Sequence, residues 1–425
     1  MLLLALAVAG AAAAVLVFRS APRLTVVVWV VTLCFVPIWV GFSAGIFYSA
    51  ITFVTLLCIA AASTRGFRWS AVDTALLVFL AVVMLAFAVG GITLGHVLIT
   101  VMDWLVPYVW GRLVLSRVSP RFVTSTIAIA TVAVAAMALG EFLSGLNIFV
   151  LVPWGNGGYT LWSPLQPRGG VLRAEGAFGH SISLGSSLAI GSVFILTARW
   201  HLALRVCALI VVAAAVVVTF SRIGLVALAL ALVLCLLFLR TDMSGRTRVV
   251  FSVLAVAGAL VATPLLSAVF GQAGDEAEGS ALYRFELFSL VGQMSPVGLS
   301  DGYTVAPDGA VRVGQFESID SALILTGLRL GWVPLVILLA VLVALLAIVV
   351  SRSANPALIA IAAQVPGLAT VALITQLPYF FWFVAGLGVS LYILNHDAGR
   401  GSSEEPPGRL DHDTEGISWS SRKTV

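Results

Sequence analysis

Residues 321–350 read SALILTGLRLGWVPLVILLAVLVALLAIVV, thirty positions with a single charged side chain, Arg329. An α-helix of about 20 apolar residues crosses the hydrocarbon core of a bilayer. The run is therefore longer than one perpendicular crossing requires, so it either tilts in the bilayer or begins outside the lipid. A stretch of this kind predicts an integral membrane protein.

The composition of the whole chain agrees with that stretch. Of its 425 residues, 60% are hydrophobic and 10% are charged, and the mean hydropathy is +1.10, whereas soluble domains carry about 25% charged residues. The recurring apolar runs lack the two-residue alternation of barrel strands. We predict an all-α, polytopic integral membrane bundle of about 12–13 transmembrane helices. The predicted spans are 2–18, 24–42, 44–62, 72–90, 92–110, 122–142, 181–198, 203–220, 223–239, 249–270, 321–350, 355–375 and 379–394.

The distribution of arginine predicts the orientation, because short loops rich in arginine stay cytoplasmic. The arginines of alternate connections are Arg19, Arg23, Arg65, Arg68, Arg112, Arg117, Arg121, Arg199, Arg205, Arg240, Arg246, Arg248 and Arg352. This pattern places two long loops, 143–180 and 271–320, on the outer face. The membrane domain then covers residues 1–395, and the polar tail 396–425 is predicted to be disordered in the cytoplasm. The Ala/Leu/Val-rich run 2–18 is an appended helix, either retained or cleaved.

Six arginines lie on the predicted outer face, against the positive-inside rule. They are Arg168, Arg173, Arg222, Arg284, Arg312 and Arg329. Arg222 lies in VVVTFSRIGLVAL, between two apolar runs with almost no loop, so its guanidinium is predicted at the outer membrane interface. An ionisable group at this position is taken by default to have a function. The alternative is that the arginine side chain only extends to a lipid phosphate. Ser221 beside it supplies a hydroxyl.

A second polar cluster, RAEGAFGHSISLG, directly precedes the span 181–198. Its serines and glycines suit a helix start whose free N–H groups favour an anion. The alternative for Arg173 and Glu175 is an ion pair that braces the end of the loop. His180 by itself is more often a structural hydrogen-bonding group than a base.

The second outer loop adds a surface helix and a carboxylate. Apolar residues at helical spacing over 283–294 predict an amphipathic helix on the outer surface, which Pro296 and Gly298 end in a turn. Asp320 precedes the next span as either a helix cap or a group at the interface. Two further carboxylates are not assigned a specific role. Asp103 could pair with an arginine elsewhere in the bundle, and Glu141 could join the outer site.

Four segments together resemble the O-antigen ligase/polymerase superfamily of bacterial glycan-assembly proteins. In chain order they are R-x-E-G-x-F-x-H (173–180), T-x-S-R-x-G (219–224), R-(x)₁₁-P-x-G (284–298), and Asp320–Ser321 before Gly327 and Gly331. The resemblance spans about residues 120–395. Ligases of this family often carry His followed by Asn or Ser where this chain has Asp320–Ser321, which favours the polymerase-like members. The family's usual proline after its histidine is Ser181 here.

The resemblance implies a glycosyltransferase of the bacterial cytoplasmic membrane, with no cofactor. Its expected donor is a glycan on a polyprenyl diphosphate, and its acceptor is a hydroxyl of a glycan, lipid or protein. The enzyme would also contact membrane lipids, and no nucleic-acid partner is expected. Arg173, Arg222 and Arg284 are assigned to the carrier diphosphate, because arginine binds phosphate oxygens bidentately and no carboxylate cluster has metal-ligand spacing. Asp320 is the expected general base, with Glu175 as the substitute.

The resemblance also implies further substrate-binding residues. Arg168, Ser221 and His180 are expected to contact the substrate.

Two other functions stay open. One alternative is a flippase or transporter of lipid-linked oligosaccharide, although no internal repeat is found in the sequence. The other is a cell-wall glycan polymerase of the shape, elongation, division and sporulation family, to which the motifs fit less well.

Overall fold

The computed structural model describes residues 1–44, 46–239, 245–272, 283, 286–305, 311–316 and 319–401. Most of these residues are helical. The helices are α1 (Leu2–Ser20), α2 (Pro22–Phe35), α3 (Ala50–Ala61), α4 (Ala71–Ala88), α5 (Leu94–Thr100), α6 (Val106–Leu113), α7 (Pro120–Ser144), α8 (Gly157–Trp162), α9 (Ser181–Thr197), α10 (Leu202–Val218), α11 (Arg222–Phe238), α12 (Gly245–Gln272), α13 (Ala322–Leu330), α14 (Trp332–Ile348), α15 (Pro356–Ala362), α16 (Val365–Thr370) and α17 (Leu377–Gly401). A π-helical turn, Val101–Leu105, joins α5 to α6.

Five helices in the described part of the chain are long and apolar enough to cross a membrane. They are Ala71–Ala88, Leu94–Ser116, Pro120–Ser144, Trp332–Ser351 and Leu377–Asp397. Seven further apolar helices are shorter, with 10–17 residues each. The prediction of a mainly helical chain is confirmed for the described residues, while the crossing of a membrane and the number of 12–13 crossings stay predictions.

In the described part of the chain, six short strands form three antiparallel hairpins, each of two strands. They are β1 (Gly41–Ala44) with β2 (Ile46–Ser49), β3 (Pro167–Arg168) with β4 (Val171–Leu172), and β5 (Tyr303–Val305) with β6 (Val311–Val313). The first hairpin corrects the predicted spans 24–42 and 44–62, because α2 ends at Phe35 and α3 begins only at Ala50. The loop 143–180 contacts this hairpin: Trp154 Nε1 donates to the Gly41 carbonyl at 2.7 Å.

The long run 321–350 is interrupted at Gly331, which separates α13 from α14. Gly331 has φ +100°, and a Cβ at this position would lie 2.6 Å from Val297 Cα. Only glycine accommodates both the left-handed backbone and the neighbouring chain. The predicted span 355–375 is also divided, into α15 and α16.

The end of the last helix and the loop 271–320 differ from prediction. Helix α17 continues to Gly401, past the predicted start of the tail at 396, and Asp397 forms an ion pair with Arg68. The predicted amphipathic helix 283–294 is a 3₁₀ helix over Leu287–Gln293. Its tighter turn buries Leu287 and Leu290, three residues apart, and leaves Phe288 and Val291 exposed. Thus the predicted apolar face is only partly correct, and residues 284 and 285 lie outside the described part.

Helix α9 is the central helix of the bundle, since every residue from Ser183 to Leu196 is buried. It packs against α7, α10, α11 and α15. It approaches α11 closely: a Cβ on Gly224 would lie 3.0 Å from Gly185 Cα. Small residues let two helix backbones approach in this way. This contact brings the first turns of α9 and α11 together.

Candidate functional site

The tight turn Thr219–Ser221 connects α10 to α11 and carries Arg222 at its end. Ser221 caps α11, because its Oγ accepts the Gly224 N–H at 3.2 Å. The buried Phe220 has φ +46°, a left-handed conformation that a non-glycine residue adopts only under constraint from its surroundings. Arg222 is exposed on the first residue of α11. The predicted role of Ser221 as a hydroxyl beside the arginine is thus combined with a structural role as a helix cap.

Two arginines from the β3–β4 hairpin hold this turn. Arg168 Nη1 donates to the Phe220 carbonyl at 3.2 Å, and Arg173 Nε donates to the Thr219 carbonyl at 2.9 Å. The Ala174 N–H also donates to the carbonyl of Val218 at 3.2 Å. We call Thr219–Arg222 together with Arg168 and Arg173 the arginine turn. The start of the first motif therefore contacts the backbone of the second motif.

Glu175 is fully buried beside the arginine turn. One of its oxygens, Oε1, accepts the Gln166 N–H at 3.2 Å. Burial raises the pKa of its carboxyl to about 7, although the Gln166 N–H and the charge of Arg173 act in the opposite direction. Glu175 is therefore a carboxyl group that gains and loses its proton near neutral pH.

Glu141, at the end of α7, fastens the loop that carries Glu175. Its Oε1 accepts the backbone N–H of Glu175 at 3.1 Å, and its Oε2 accepts that of Gly176 at 2.8 Å. Asn147 Nδ2 donates to the same carboxylate at 3.0 Å. Glu141 thus contacts the backbone of the loop that carries Glu175, and its part in a functional site stays a prediction.

His180 is the N-cap of α9. Its Nδ1 accepts the Ile182 N–H at 3.1 Å, so this nitrogen carries no proton. Burial, followed by the charges of Arg173 and Arg168, lowers the pKa of His180 to about 4. The imidazole is thus neutral at pH 7, and it can offer a substrate only an Nε2–H hydrogen bond rather than a positive charge.

Asp320 does not cap α13, so the first of its two predicted roles is wrong and the second stays a prediction. The cap is Ser321, whose Oγ accepts the Ile324 N–H at 3.3 Å. Asp320 is half-buried just before this cap. The Ala322 N–H donates to the Val371 carbonyl at 3.0 Å, which places the start of α13 beside the linker 371–376 between α16 and α17.

That linker also contacts the first motif. Ser183 Oγ donates to the Ile374 carbonyl at 3.0 Å. Gln376 Nε2 donates to the carbonyls of Ala177, at 2.8 Å, and Val36, at 3.1 Å. The first, second and fourth motifs therefore lie at the same end of the bundle.

The described part of the third motif lies elsewhere. The Gly298 N–H donates to the Leu330 carbonyl at 2.7 Å, at the opposite end of α13 from Asp320, and a nine-residue helix is about 13 Å long. Arg284, the assigned phosphate ligand of this motif, lies outside the described residues. Asp103, which could pair with an arginine elsewhere in the bundle, accepts a hydrogen bond from the Tyr379 hydroxyl and also interacts electrostatically with Arg329.

Two polar residues of this end of the bundle were not singled out from the sequence. Gln376 is an isolated amide between two apolar runs, in TQLPYF, and that isolation was the available signal. Trp39 gave no signal, since tryptophan is common at membrane interfaces. Among the described residues, no three His, Cys, Asp or Glu side chains form a group that could hold a metal ion.

Comparison with known proteins identifies no related protein. No protein-family model, no curated protein and no solved structure matches this chain. The functional interpretation therefore depends on the geometry of this site.

Proposed function

We propose that the protein is a glycosyltransferase of the bacterial cytoplasmic membrane, of the O-antigen ligase/polymerase type. In this proposal the chain crosses the bilayer 12–13 times, which is within the capacity of an apolar chain of this length, and the arginine turn faces outward. The enzyme transfers or polymerises a polyprenyl-diphosphate-linked glycan onto an acceptor hydroxyl. Its partners are that donor, the acceptor and the membrane lipids.

The observation that supports this proposal best is the arginine turn itself. Arg168, Arg173 and Arg222 come from two separate segments and meet at one four-residue turn. Arginine pairs with phosphate oxygens through short, charge-assisted hydrogen bonds. A diphosphate bound near this turn would be attracted by the positive charges of all three residues.

The proposed reaction uses these groups at the step where charge develops. The acceptor oxygen attacks the anomeric carbon of the donor, the bond from that carbon to the phosphate oxygen breaks, and its electron pair stays on the departing polyprenyl diphosphate. The acceptor proton goes to a base. Fixed positive charge at the leaving group is usually the largest catalytic contribution, and here the arginine turn supplies it.

Asp320 is the proposed base and Glu175 the substitute. Asp320 is half-buried at the start of α13, and Ser321 rather than Asp320 caps that helix. Glu175 lies next to Arg173 and has a pKa of about 7, close to the value that suits proton transfer at physiological pH. Its complete burial is the reason for ranking it second.

A flippase or transporter of lipid-linked oligosaccharide is the second candidate. Transporters often contain interrupted helices, and this bundle interrupts two of its predicted spans, at Gly331 and between α15 and α16. The arginine turn is located at one end of the bundle, which favours chemistry at a membrane surface. We therefore rank transport below glycosyl transfer.

Analysis of lipid-linked and surface glycans in a deletion strain tests the proposal. The complementing variants are Arg222→Ala, Arg222→Lys and Asp320→Ala. Because Arg222 is exposed, Arg222→Ala should reach the membrane in normal amount yet form less than a tenth of the product, with Arg222→Lys intermediate. Glycosyl transfer predicts that the donor accumulates on the outer leaflet. Accumulation on the inner leaflet would indicate transport instead, and normal product from Arg222→Ala would contradict the proposed diphosphate site.

A further inference from the structure

The two helices that flank the β1–β2 hairpin are too short to cross a bilayer. Helix α2 has 14 residues and α3 has 12, which correspond to lengths of about 21 Å and 18 Å. The hydrocarbon core of a bilayer is about 30 Å thick. The two helices lie side by side, because Trp29 Nε1 donates to Thr55 Oγ1 at 2.8 Å.

The arginines around this helix pair show where the hairpin lies in a chain that crosses a bilayer. They occur only near the helix ends that are away from the hairpin, at Arg19, Arg23, Arg65 and Arg68. Arginine stays at the aqueous border of the membrane. The segment 36–49 therefore begins about two thirds of the way through the hydrocarbon core, in the leaflet far from these arginines. Four-residue strands are about 13 Å long, so the hairpin can complete the crossing.

Non-helical backbone at that depth needs hydrogen-bond partners from the protein, because lipid supplies none. Side-chain N–H groups from distant segments supply three of them: Gln376 Nε2 donates to the Val36 carbonyl at 3.1 Å, Asn156 Nδ2 to Trp39 at 2.9 Å, and Trp154 Nε1 to Gly41 at 2.7 Å. Backbone N–H groups donate to the carbonyls of Pro37 and Val40. Five of the six carbonyls from residue 36 to residue 41 are thus paired inside the protein.

The hairpin exposes aromatic side chains and no charge. Phe42 and Phe47 of the hairpin and Phe53 of the first turn of α3 are all exposed. The ring of Phe42 stacks on Tyr48, with centroids 5.6 Å apart, and meets Phe53 edge-on at 6.0 Å. Residues 24–64 contain no charged side chain. The outward face of this non-helical segment is therefore as apolar as that of a membrane helix.

The loop 143–180 extends this face. Its residues Ile148, Leu151 and Val152 are exposed, and residues 142–167 contain no charged side chain. The bonds from Trp154 and Asn156 hold this part of the loop against the hairpin. Large exposed apolar patches mark interaction surfaces. We call the joint surface the apolar rim; its residues are Phe42, Phe47, Phe53, Ile148, Leu151 and Val152.

The composition of the chain indicates what covers the apolar rim. The two longest stretches outside the described residues are charged: 273–282 has three carboxylates, and 402–425 has eight charged residues. Covering the rim with these stretches would bring charges out of water, which is unfavourable. Aromatic and aliphatic side chains without charge are typical of surfaces that face lipid. The rim therefore fits hydrocarbon chains.

We propose that the segment 36–49 is a membrane-embedded hairpin and that the apolar rim binds the acyl chains of lipids in the same leaflet. The inference rests on the membrane crossing in the proposed function and uses none of its chemistry. It moves residues 146–156 from a predicted aqueous loop into the membrane. The hairpin, rather than a continuous helix, completes the crossing that α2 and α3 begin.

Nitroxide spin labels on the full chain in lipid nanodiscs test this proposal. Each variant carries one new cysteine, and alanine replaces the four native cysteines, Cys34, Cys58, Cys207 and Cys235. Paramagnetic resonance then measures collisions of the label with oxygen, which concentrates in hydrocarbon, and with a polar nickel complex, which stays in water. A melting temperature close to that of the cysteine-free chain shows that a labelled variant is folded.

Two reference positions calibrate the measurement. Arg65 is exposed in the short loop after α3, and Leu77 is exposed on the long apolar helix α4. Labels at Phe42→Cys and Leu151→Cys should collide with the nickel complex about 10-fold less often than the label at Arg65→Cys, because a polar solute rarely enters hydrocarbon. Their collisions with oxygen should be as frequent as those at Leu77→Cys.

A leucine of the same loop provides the matched control. Leu172 is 43% exposed and Leu151 is 63% exposed, but Leu172 lies in β4, between Arg168 and Arg173. The label at Leu172→Cys should collide with the nickel complex as often as the label at Arg65→Cys. Exposure of a leucine side chain alone then does not explain the result at Leu151.

The outcomes separate this inference from the proposed function. Frequent nickel collisions at Phe42→Cys and Leu151→Cys place the rim in water and overturn the inference alone, provided that Leu77→Cys stays in lipid. Rare collisions with both probes mean that protein, such as a second copy of this chain, covers the rim, which also overturns it. Frequent nickel collisions at Leu77→Cys as well would contradict the membrane crossing in the proposed function.

Discussion

The buried carboxyl of Glu175 should make the stability of the protein depend on pH in a defined direction. Its pKa is about 7 in the folded chain against an ordinary 4.5. Between these two values the folded state holds a proton that the unfolded state has released. The free energy of unfolding must therefore fall as the pH rises through this range. A pKa shift of this size corresponds to about 3 kcal/mol in the free energy of unfolding, and this contribution is lost in full above pH 7.

His180 contributes with the opposite sign in an overlapping range. Its pKa is about 4 in the folded chain against an ordinary 6.5, so the unfolded state binds the extra proton. Its contribution to stability is present above pH 6.5 and is lost as the pH falls toward 4. The wild-type profile combines both groups, so each one must be isolated by its own variant.

The experiment compares Glu175→Gln and His180→Asn with the wild type in thermal unfolding between pH 4 and 8.5. Relative to the wild type, Glu175→Gln should become progressively more stable from pH 4.5 to 7, by up to about 3 kcal/mol. His180→Asn keeps a capping oxygen and should gain relative stability as the pH falls below 6.5. The exposed Glu286 provides a control variant, Glu286→Gln. Parallel profiles for Glu175→Gln and the wild type would refute the assignment of a buried, protonated carboxyl.

Two further predictions concern packing inside the helical bundle. Gly224→Val places methyl groups against the backbone of Gly185, whose Cα is 3.0 Å from the Cβ position, so the melting temperature should fall with a loss of about 1–3 kcal/mol. Gly140→Val, with open space around its Cβ, is the control, and equal losses would contradict the close contact of α9 and α11. Arg112→Met removes the buried partner of Asp73, to which Arg112 Nε donates at 2.9 Å, and should cost about 3–5 kcal/mol. Adding Asp73→Asn should restore part of that loss in denaturation assays, and no recovery would contradict the ion pair.

The sequence was most informative where one physical rule acts alone. Apolar length by itself predicted α4, α9 and α11 to within two residues. It failed at Gly41–Ser49, because an apolar hairpin and an apolar helix end have the same composition. It also could not locate the break at Gly331, since the neighbouring chain at Val297, rather than the local sequence, excludes a side chain there.

The site shows the same division between local and distant information. Spacing within the motifs and their likeness to one family predicted that Arg173 and Arg222 belong together, and Arg168 and Arg173 do contact the turn before Arg222. The cap of α13 was ambiguous, because Asp320 and Ser321 are both good capping residues. Gln376 was missed because its partners, Val36 and Ala177, are 340 and 199 residues away along the chain.

The central claim is that Arg168, Arg173 and Arg222 bind a diphosphate together. Its most direct test is an experimental structure of the full chain in lipid nanodiscs with a bound polyprenyl-diphosphate glycan. The account predicts phosphate oxygens about 2.7–2.9 Å from guanidinium nitrogens of the arginine turn. A well-ordered diphosphate bound elsewhere, with these three side chains unchanged, would contradict it.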